Sequence, residues 1–388
     1  MKEVRFGIIG VGGMGSAHIG FIKNIPRAKL TALCDLEKAK VDSLAEKNSA
    51  KSYYDGIKML NSSDIDAVLI ATPHYDHTTF AIEAFKVGVH VLTEKPIAVH
   101  KADAQKMIDA HRKNKKVLFS AMFQQRTLGM YKKLKQLLDA GEFGEVKRVN
   151  WIITNWFRTQ RYYDSGGWRA TWGGEGGGVL LNQCPHNLDL FQWLFGMPSK
   201  VRAFCEVGKY HHIEVEDDVT AYCQFPNGAT GVFITSTGDF PGTNRLEITC
   251  DRGRVIVENG KISFTRTECS VSEFCRKSDK MFDGPQTWNV DIPYQENGSS
   301  PAHQKIIENF VDAILDGSEL LVQGEEGINS VELGNAMIYS SMKDKTVSLP
   351  LDARTYAALL KGLIKGSKFK KKEINPGIFD IKSSMVNK

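Results

Sequence analysis

Residues 4–15 read Val4-Arg5-Phe6-Gly7-Ile8-Ile9-Gly10-Val11-Gly12-Gly13-Met14-Gly15. Val4–Ile9 is a short apolar run of strand character, and the glycines behind it follow the spacing GxGxxG where a helix begins. In that context the glycines make a tight turn, let a pyrophosphate approach the backbone, and let helix and strand pack closely. The free N–H groups and positive dipole end of the helix then face the phosphates. Gly10, Gly12, Gly13, Met14 and Gly15 are therefore candidate cofactor contacts. Asp35 ends the next apolar stretch, twenty residues after Gly15. A carboxylate there can bind both ribose hydroxyls of NAD and repels a 2′-phosphate, so NAD is expected and NADP is the lesser alternative. Lys38 is near enough to tolerate a phosphate, but no Ser-Arg pair follows the strand.

Moving outward, the sequence predicts strands at 30–34, 67–71, 90–93 and 117–121, with helices at 36–47, 77–87 and 101–114 between them. Strands alternating with helices of this length form βαβ units and a doubly wound parallel sheet. The pattern changes near residues 141–144. Beyond it come a strand at 146–153, a loop rich in Gly, Trp and Arg, and a helix predicted over 179–195. Strands follow at 201–207, 219–225, 229–236, 245–250, 254–259 and 261–265. Turn signals such as Pro226-Asn227-Gly228 and Asp251-Arg252-Gly253 punctuate them, which reads as an antiparallel sheet. Helices at 302–316 and 324–341 close the second unit. The expected division is a dinucleotide-binding Rossmann domain over 1–125 and a domain with an open, mostly antiparallel sheet flanked by helices over 126–388.

The bulk numbers agree with this division. A chain of 388 residues, 42% hydrophobic and 24% charged, has material for two ordinary cores. Its net charge of +5 is too small for a nucleic-acid footprint. Much of the excess lies in Lys361, Lys365, Lys368, Lys370, Lys371 and Lys372, which read as a solvated helix face or a frayed tail. Seven scattered cysteines without a CxxC pair argue against a disulfide framework and for a reducing, cytoplasmic setting. No apolar run approaches the ~18 residues of a membrane span. Residues 6–17 are apolar, but a strand, turn and helix explain them better than a signal peptide. His74, Asp76 and His77 cluster, yet Asp76 and His77 read as helix capping, and no zinc spacing occurs, so no metal is expected.

Further motifs carry a resemblance. The glycine turn, Thr72-Pro73, Glu94-Lys95-Pro96, the stretch from Gly176-Gly177-Gly178 through Asn182-Gln183-Cys184-Pro185-His186 to Asp189, and later Phe310-Val311-Asp312-Ala313-Ile314 with Gly324-Glu325-Glu326-Gly327 resemble the glucose-fructose oxidoreductase/inositol dehydrogenase (Gfo/Idh/MocA) family. The similarity covers about the first 350 residues, and the last 35 or so have no clear counterpart. The resemblance implies a Rossmann domain holding nicotinamide at its sheet edge. It also implies an open-sheet second domain often used for oligomerisation, and hydride transfer at a secondary alcohol of a sugar, inositol or polyol. Thr72, Pro73, His77, Glu94, Lys95 and Gln124 join the expected cofactor contacts.

Hydride transfer from an alcohol needs a base for the hydroxyl proton and donors to steady the oxygen. Lys95 lies just past a buried strand beside Pro96. Desolvation near a nicotinamide cation lowers a lysine's pKa, and family members use the matching Lys on the reacting oxygen. His186, neutral near pH 7, can accept the proton. Asn182 at i−4 and Asp189 at i+3 would share its helical face. Asn182 stands where many relatives carry Asp, which shifts the proton role to His186 and Lys95. Asp189 is read as orienting His186 or serving packing. Between Trp151 and Trp172 lie aromatic rings suited to stack on sugar C–H faces, with Arg and Asn for hydroxyls. The expected substrate contacts are Lys95, Arg126, Asn155, Trp156, Arg158, Tyr163, Trp168, Arg169, Asn182 and His186, with Lys95 and His186 catalytic. The reading is an NAD-dependent sugar or glycoside dehydrogenase. An inositol dehydrogenase and a non-catalytic NAD-binding sensor are the alternatives, and a nucleotide that is never released is a further one. The partners expected are a sugar or cyclitol and, because an uncovered apolar sheet face must be buried, a second copy in a homodimer or homotetramer. Nucleic acid and membrane are not expected.

Overall fold

A computed structural model describes residues 2–296, 298–372 and 374. The first sheet has six parallel strands. These are β1 (Val4–Ile9), β2 (Ala28–Cys34), β3 (Lys51–Tyr53), β4 (Ala67–Ile70), β5 (His90–Thr93) and β6 (Phe119–Ala121), in the order β3-β2-β1-β4-β5-β6. The order reverses between β1 and β4, so the crevice at their carboxyl ends is the switch point where such sheets bind ligands. Helices α1 (Gly13–Lys23), α2 (Lys38–Asn48), α3 (Gly56–Leu60), α4 (His74–Val87) and α5 (Lys101–Arg112) form the crossovers. The short β3 and α3 were not expected from the sequence. With three and five residues, they are too short to give a periodic signal.

Helix α6 (Gly129–Asp139) leads to β7 (Val146–Ile153), the centre of a nine-stranded sheet. The short helix α7 (Gln160–Asp164) and α8 (Pro185–Phe195) follow. Then come β8 (Lys200–Val207), β9 (Glu216–Gln224), β10 (Thr230–Ser236), β11 (Asn244–Cys250), β12 (Gly253–Glu258), β13 (Lys261–Thr267), the helix α9 (Val271–Lys277) and β14 (Thr287–Ile292). Helices α10 (Ala302–Asp316) and α11 (Gly327–Met342), the two-residue β15 (Val347–Ser348) and α12 (Ala353–Gly366) complete the chain. The sheet order is β14-β13-β12-β11-β7-β10-β9-β8-β15, antiparallel except for the β7–β10 pair. β14 and α12 are additions to the sequence reading. The outer strand β14 is largely exposed and lacks the alternation that marks a half-buried strand.

Each sheet has its own core. Trp151, Phe233, Ile248, Leu188 and Met337 belong to the second. Ile306, Ile307 and Phe310 of α10 join the core of the first sheet with Phe6 and Ile8, so the chain returns to its first half after building the second. Phe204 and Tyr222 are exposed on the face of the large sheet away from its helices. No helix among the described residues is long and apolar enough to cross a membrane.

Candidate active site

The glycine turn has the geometry of a phosphate cradle. Gly10 has φ +89°, and a Cβ there would lie 2.7 Å from the Ala71 carbonyl oxygen. A Cβ on Gly15 would lie 1.8 Å from the Gly10 carbonyl oxygen, so the helix packs against its own turn. A Cβ on Gly12 would meet nothing within 4 Å. The open space stands where the second glycine of such a turn admits a pyrophosphate. Gly13 and Met14 begin α1 with free N–H groups. The Asp35 carboxylate accepts from the Val11 N–H at 2.8 Å and from the Glu37 N–H at 3.0 Å, which fixes it at the mouth of the turn. Lys38 lies over the Tyr54 ring.

The ends of β4 and β5 carry the next residues. Thr72 Oγ1 is a buried polar atom with no partner among the described residues. Unpaired buried polar atoms are costly, and a bound nicotinamide nucleotide supplies partners. The cradle and this hydroxyl fit such a cofactor. His77 is fully buried, and its ring nitrogens face the carbonyl oxygens of Pro96 at 2.8 Å and Thr72 at 2.9 Å. It therefore ties the Thr72-Pro73 loop to the Lys95-Pro96 loop rather than presenting a nitrogen to a ligand. The capping role expected of Asp76 and His77 is also corrected. Pro73 is the cap residue of α4, and neither side chain caps it. No metal-ligating cluster occurs among the described residues.

Glu94 is buried and accepts from His18 Nε2 at 2.7 Å. Burial pushes its pKa up, but the His18 hydrogen bond and neighbouring cations outweigh this and hold it at about 2. His18 and its ring neighbour His303 were not anticipated, because no local motif marks them. Lys95 is partly buried, and its Nζ donates to the Asn182 main-chain oxygen at 2.6 Å. Burial lowers its pKa, with Arg169 and Arg158 adding to the effect against Glu94 and Glu175.

The helix predicted over 179–195 begins only at Pro185. Residues 178–184 are held in turns by Glu216. Its Oε1 accepts from the Gly178 N–H at 2.8 Å and the Leu180 N–H at 3.1 Å, and Pro185 then starts the helix as its first residue. Asn182 is thus off the helix and shares no helical face with His186. Its Nδ2 donates to Glu175 Oε1, and its Oδ1 lies 3.4 Å from the Tyr162 hydroxyl. The reading of Asp189 as an orienter of His186 is corrected too. Asp189 accepts two hydrogen bonds from Arg126, at 2.6 and 2.8 Å. Arg126 also donates to Glu326 at 2.5 Å, so its guanidinium is spent on carboxylates and is no substrate contact.

Burial holds the His186 pKa well below its ordinary value, with Lys95 nearby adding to the effect. The Gln124 amide lies 3.2 Å from His186 Nε2, while His186 Nδ1 has no partner. With the amide turned so that its oxygen faces the ring, Nε2–H donates to it and Nδ1 carries the lone pair. The opposite orientation leaves the Gln124 oxygen buried and unpaired.

The aromatic wall divides in two. Trp151 is wholly buried core, its Nε1 donating to Asn244. Tyr163 donates to Thr237 at 2.7 Å, and Trp156 to Asn187 at 3.2 Å, both from buried positions. These rings shape the wall from behind rather than presenting their polar ends to a ligand. Trp168, Arg169, Arg158 and Tyr162 form a partly exposed stack in front. Arg169 lies 4.4 Å from the centre of the Trp168 ring and 4.7 Å from that of Tyr162, and Arg158 lies 5.2 Å from Tyr162. Asn155 follows the end of β7 beside them. Glu175, a single acid among glycines, was missed. It is buried, and its Oε2 accepts from the Ala170 N–H at 2.6 Å. Burial raises its pKa. The acid in Gly173-Gly174-Glu175-Gly176 is the signal that could have revealed it.

A glycine cradle on a parallel sheet, open toward a lysine and a histidine from two different domains, defines an NAD-binding oxidoreductase. Residues 4–122 match the oxidoreductase family with an NAD-binding Rossmann fold, and residues 131–256 match the GFO/IDH/MocA C-terminal domain. Together these matches take in more than half of the chain, which belongs to the Gfo/Idh/MocA family. The chain is 25% identical over 357 residues to a myo-inositol 2-dehydrogenase of Thermotoga maritima, covering 89% of this chain and 98% of that one. It is 24% identical over 400 residues to a levoglucosan dehydrogenase of Pseudarthrobacter phenanthrenivorans, covering 90% and 99%. Among solved structures, the WlbA dehydrogenase from Bordetella pertussis in complex with NADH and UDP-GlcNAcA superposes with a TM-score of 0.75 at 26% identity, covering 90% of this chain and all of that one.

Proposed function

We propose that this chain oxidises a secondary alcohol on a sugar, glycoside or cyclitol ring and passes the hydride to NAD. The observation that carries the reading is the meeting of Lys95, from the edge of the first sheet, with the Asn182 carbonyl and the nearby His186 on the second domain. Gly10, Gly12, Gly13, Met14 and Gly15 would hold the pyrophosphate and Asp35 the ribose hydroxyls. Thr72, Pro73, Glu94 and Gln124 would line the nicotinamide end. Bound nicotinamide supplies the hydride acceptor. Asp35 favours NAD over NADP by charge.

The alcohol loses a hydride from carbon and a proton from oxygen. Lys95 hydrogen-bonds that oxygen and steadies its developing charge. His186, kept neutral by burial, takes the proton on its free lone pair and later returns it to solvent. Trp168, Arg169, Arg158, Asn155 and Asn182 would receive the ring and its hydroxyls, with Tyr162 added to that set. The division at residues 125 and 126 is retained, amended by the return of α10 to the first core. The exposed Phe204 and Tyr222 support a homodimer or homotetramer formed over the large sheet. Buried free thiols support a cytoplasmic setting.

The cyclitol reading stands second and is favoured by the likeness to inositol dehydrogenases. Absorbance at 340 nm, read with NAD or NADP and a panel of aldoses, glycosides, inositols and sugar acids, tests both. NADH formation with one group supports the enzyme and names its substrate. A flat panel with NAD bound by calorimetry sinks the catalytic reading in favour of a sensor.

A further inference from the structure

The segment after α12 does not behave as the solvated run its lysines suggest. Lys361, Lys365, Lys368, Lys370 and Lys372 are exposed. Lys371 is not. Its Nζ donates to the carbonyl oxygens of Gly166 at 2.5 Å and Arg169 at 2.6 Å. Three more contacts run along the same path. Ser367 donates to Glu214, whose other oxygen accepts from the Trp172 N–H at 2.9 Å. Phe369 packs on the His212 ring at 5.1 Å, and Ile374 bridges Ser165, its N–H donating to the Asp164 carbonyl at 3.3 Å. Residues 367–372 and Ile374 thus lie across the loop 164–172, which carries Trp168 and Arg169.

That loop has reason to need a restraint. Ala170 sits at φ +58°, a left-handed conformation that an alanine adopts at a cost of about 1 kcal/mol. The Glu175 carboxylate holds the Ala170 N–H from one side, and Lys371 holds the carbonyls of Arg169 and Gly166 from the other. Arg169 in turn stacks between Trp168 and Tyr162, and its Nη1 donates to the Tyr162 hydroxyl at 3.0 Å. The same hydroxyl accepts from Gln183 beside Asn182. An ammonium clamped on two main-chain carbonyls therefore fixes the side chains that face Lys95.

We propose that residues 367–372, with Ile374, form a strap, with Lys371 as its positioning residue, that holds the Trp168–Arg169 wall in its binding shape and so sets affinity for the ring substrate. This rests on the dehydrogenase reading above. Preformed loops bind more tightly because the ordering entropy is already lost before the ligand arrives. Among the described residues the contacts of Ser367, Phe369, Lys371 and Ile374 run to the loop 164–172 and to His212 and Glu214, away from the glycine turn, so nucleotide affinity is expected to change little.

The test uses the full chain with Lys371→Met, which keeps the stem and removes the donors, and Lys371→Arg, which restores them. Hydrogen exchange of the amides of 165–172 is read without substrate, and NADH binding is followed by its fluorescence. KM and kcat are read with myo-inositol and levoglucosan. For Lys371→Met the expected result is exchange of 165–172 faster by about tenfold and KM up by about tenfold, with kcat and NADH affinity within about twofold. Lys371→Arg returns both loop exchange and KM most of the way. Unchanged exchange in 165–172, or faster exchange with unchanged KM, overturns the strap. A fall in kcat without a change in KM overturns it as well. If the unaltered chain binds NADH and oxidises no alcohol, the functional reading fails instead, and the exchange of 165–172 still decides whether the strap exists.

Discussion

Lys95 and Asn182 join the two halves of the molecule through one hydrogen bond, from the lysine ammonium to the asparagine main-chain oxygen at 2.6 Å. The bond uses backbone, so the amide side chain stays available for Glu175 and for a ligand. This separates two roles that the sequence merges. The carbonyl of residue 182 holds the Lys95 ammonium whatever its side chain, and the departure from Asp at this position leaves that bond unchanged.

Gly12→Ala and Gly15→Ala separate cofactor binding from folding. A methyl on Gly12 enters open space, while one on Gly15 collides with the Gly10 carbonyl. If that space admits the pyrophosphate, Gly12→Ala should melt within about 2 °C of the parent yet bind NAD about tenfold more weakly. Gly15→Ala should lose both fold stability and binding. Calorimetric titration beside a thermal melt reads the pair. Equal NAD affinity in Gly12→Ala would remove the phosphate role from this turn.

Arg126 and Asp189 are both almost wholly buried. Removing one leaves an unpaired charge in the interior, which costs about 3–5 kcal/mol. Arg126→Met should therefore lower the urea midpoint strongly, and adding Asp189→Leu should recover most of the loss. A double variant no better than the single one would show that the pair does more than neutralise itself.

Glu216 supplies a pH signature. Burial raises its pKa to about 7, against the hydrogen bonds it accepts from Gly178 and Leu180. The folded state then holds a proton that the unfolded chain has released, with an ordinary value near 4.5. Stability from this group is full below about pH 4.5, falls as pH rises toward 7, and is flat above. Denaturant titrations from pH 4 to 8 should show this decline in the parent, and Glu216→Gln, which keeps an acceptor oxygen, should flatten it. A Gln variant with the parent's slope would assign the decline elsewhere.

Asp35 governs nucleotide choice in this account. Asp35→Ser removes the charge that repels a 2′-phosphate and should reduce the preference for NAD over NADP by about 10–100-fold in kcat/KM, mostly through weaker NAD binding and stronger NADP binding. A parent chain that prefers NADP would contradict the reading of this carboxylate directly.

The parallel sheet was legible because Val4–Ile9, His90–Thr93 and their neighbours are short, largely apolar strands between regular helices. The second sheet was legible from alternation and turn residues, but β14 was not, since its exposed residues carry no alternation. Around the site, residues tied to a motif could be placed in advance, as Lys95 beside Pro96 and His186 after Pro185 were. Residues that act through distant partners could not. Arg126 was read as a substrate contact because nothing local announces that Asp189 and Glu326 occupy it. Asn182 was read as helical because the grip of Glu216 on residues 178–180 comes from β9, a separation that periodicity does not register.

The most direct test of the central claim is the turnover of Lys95→Met, read at 340 nm with NAD and the best alcohol of the panel, beside NAD affinity by calorimetry. If Lys95 steadies the reacting oxygen, kcat should fall by about 10²–10⁴-fold while NAD binding stays within about threefold. Normal turnover in this variant would contradict the mechanism, and with it the assignment of the Lys95–Asn182 junction as the place where the hydride leaves the sugar.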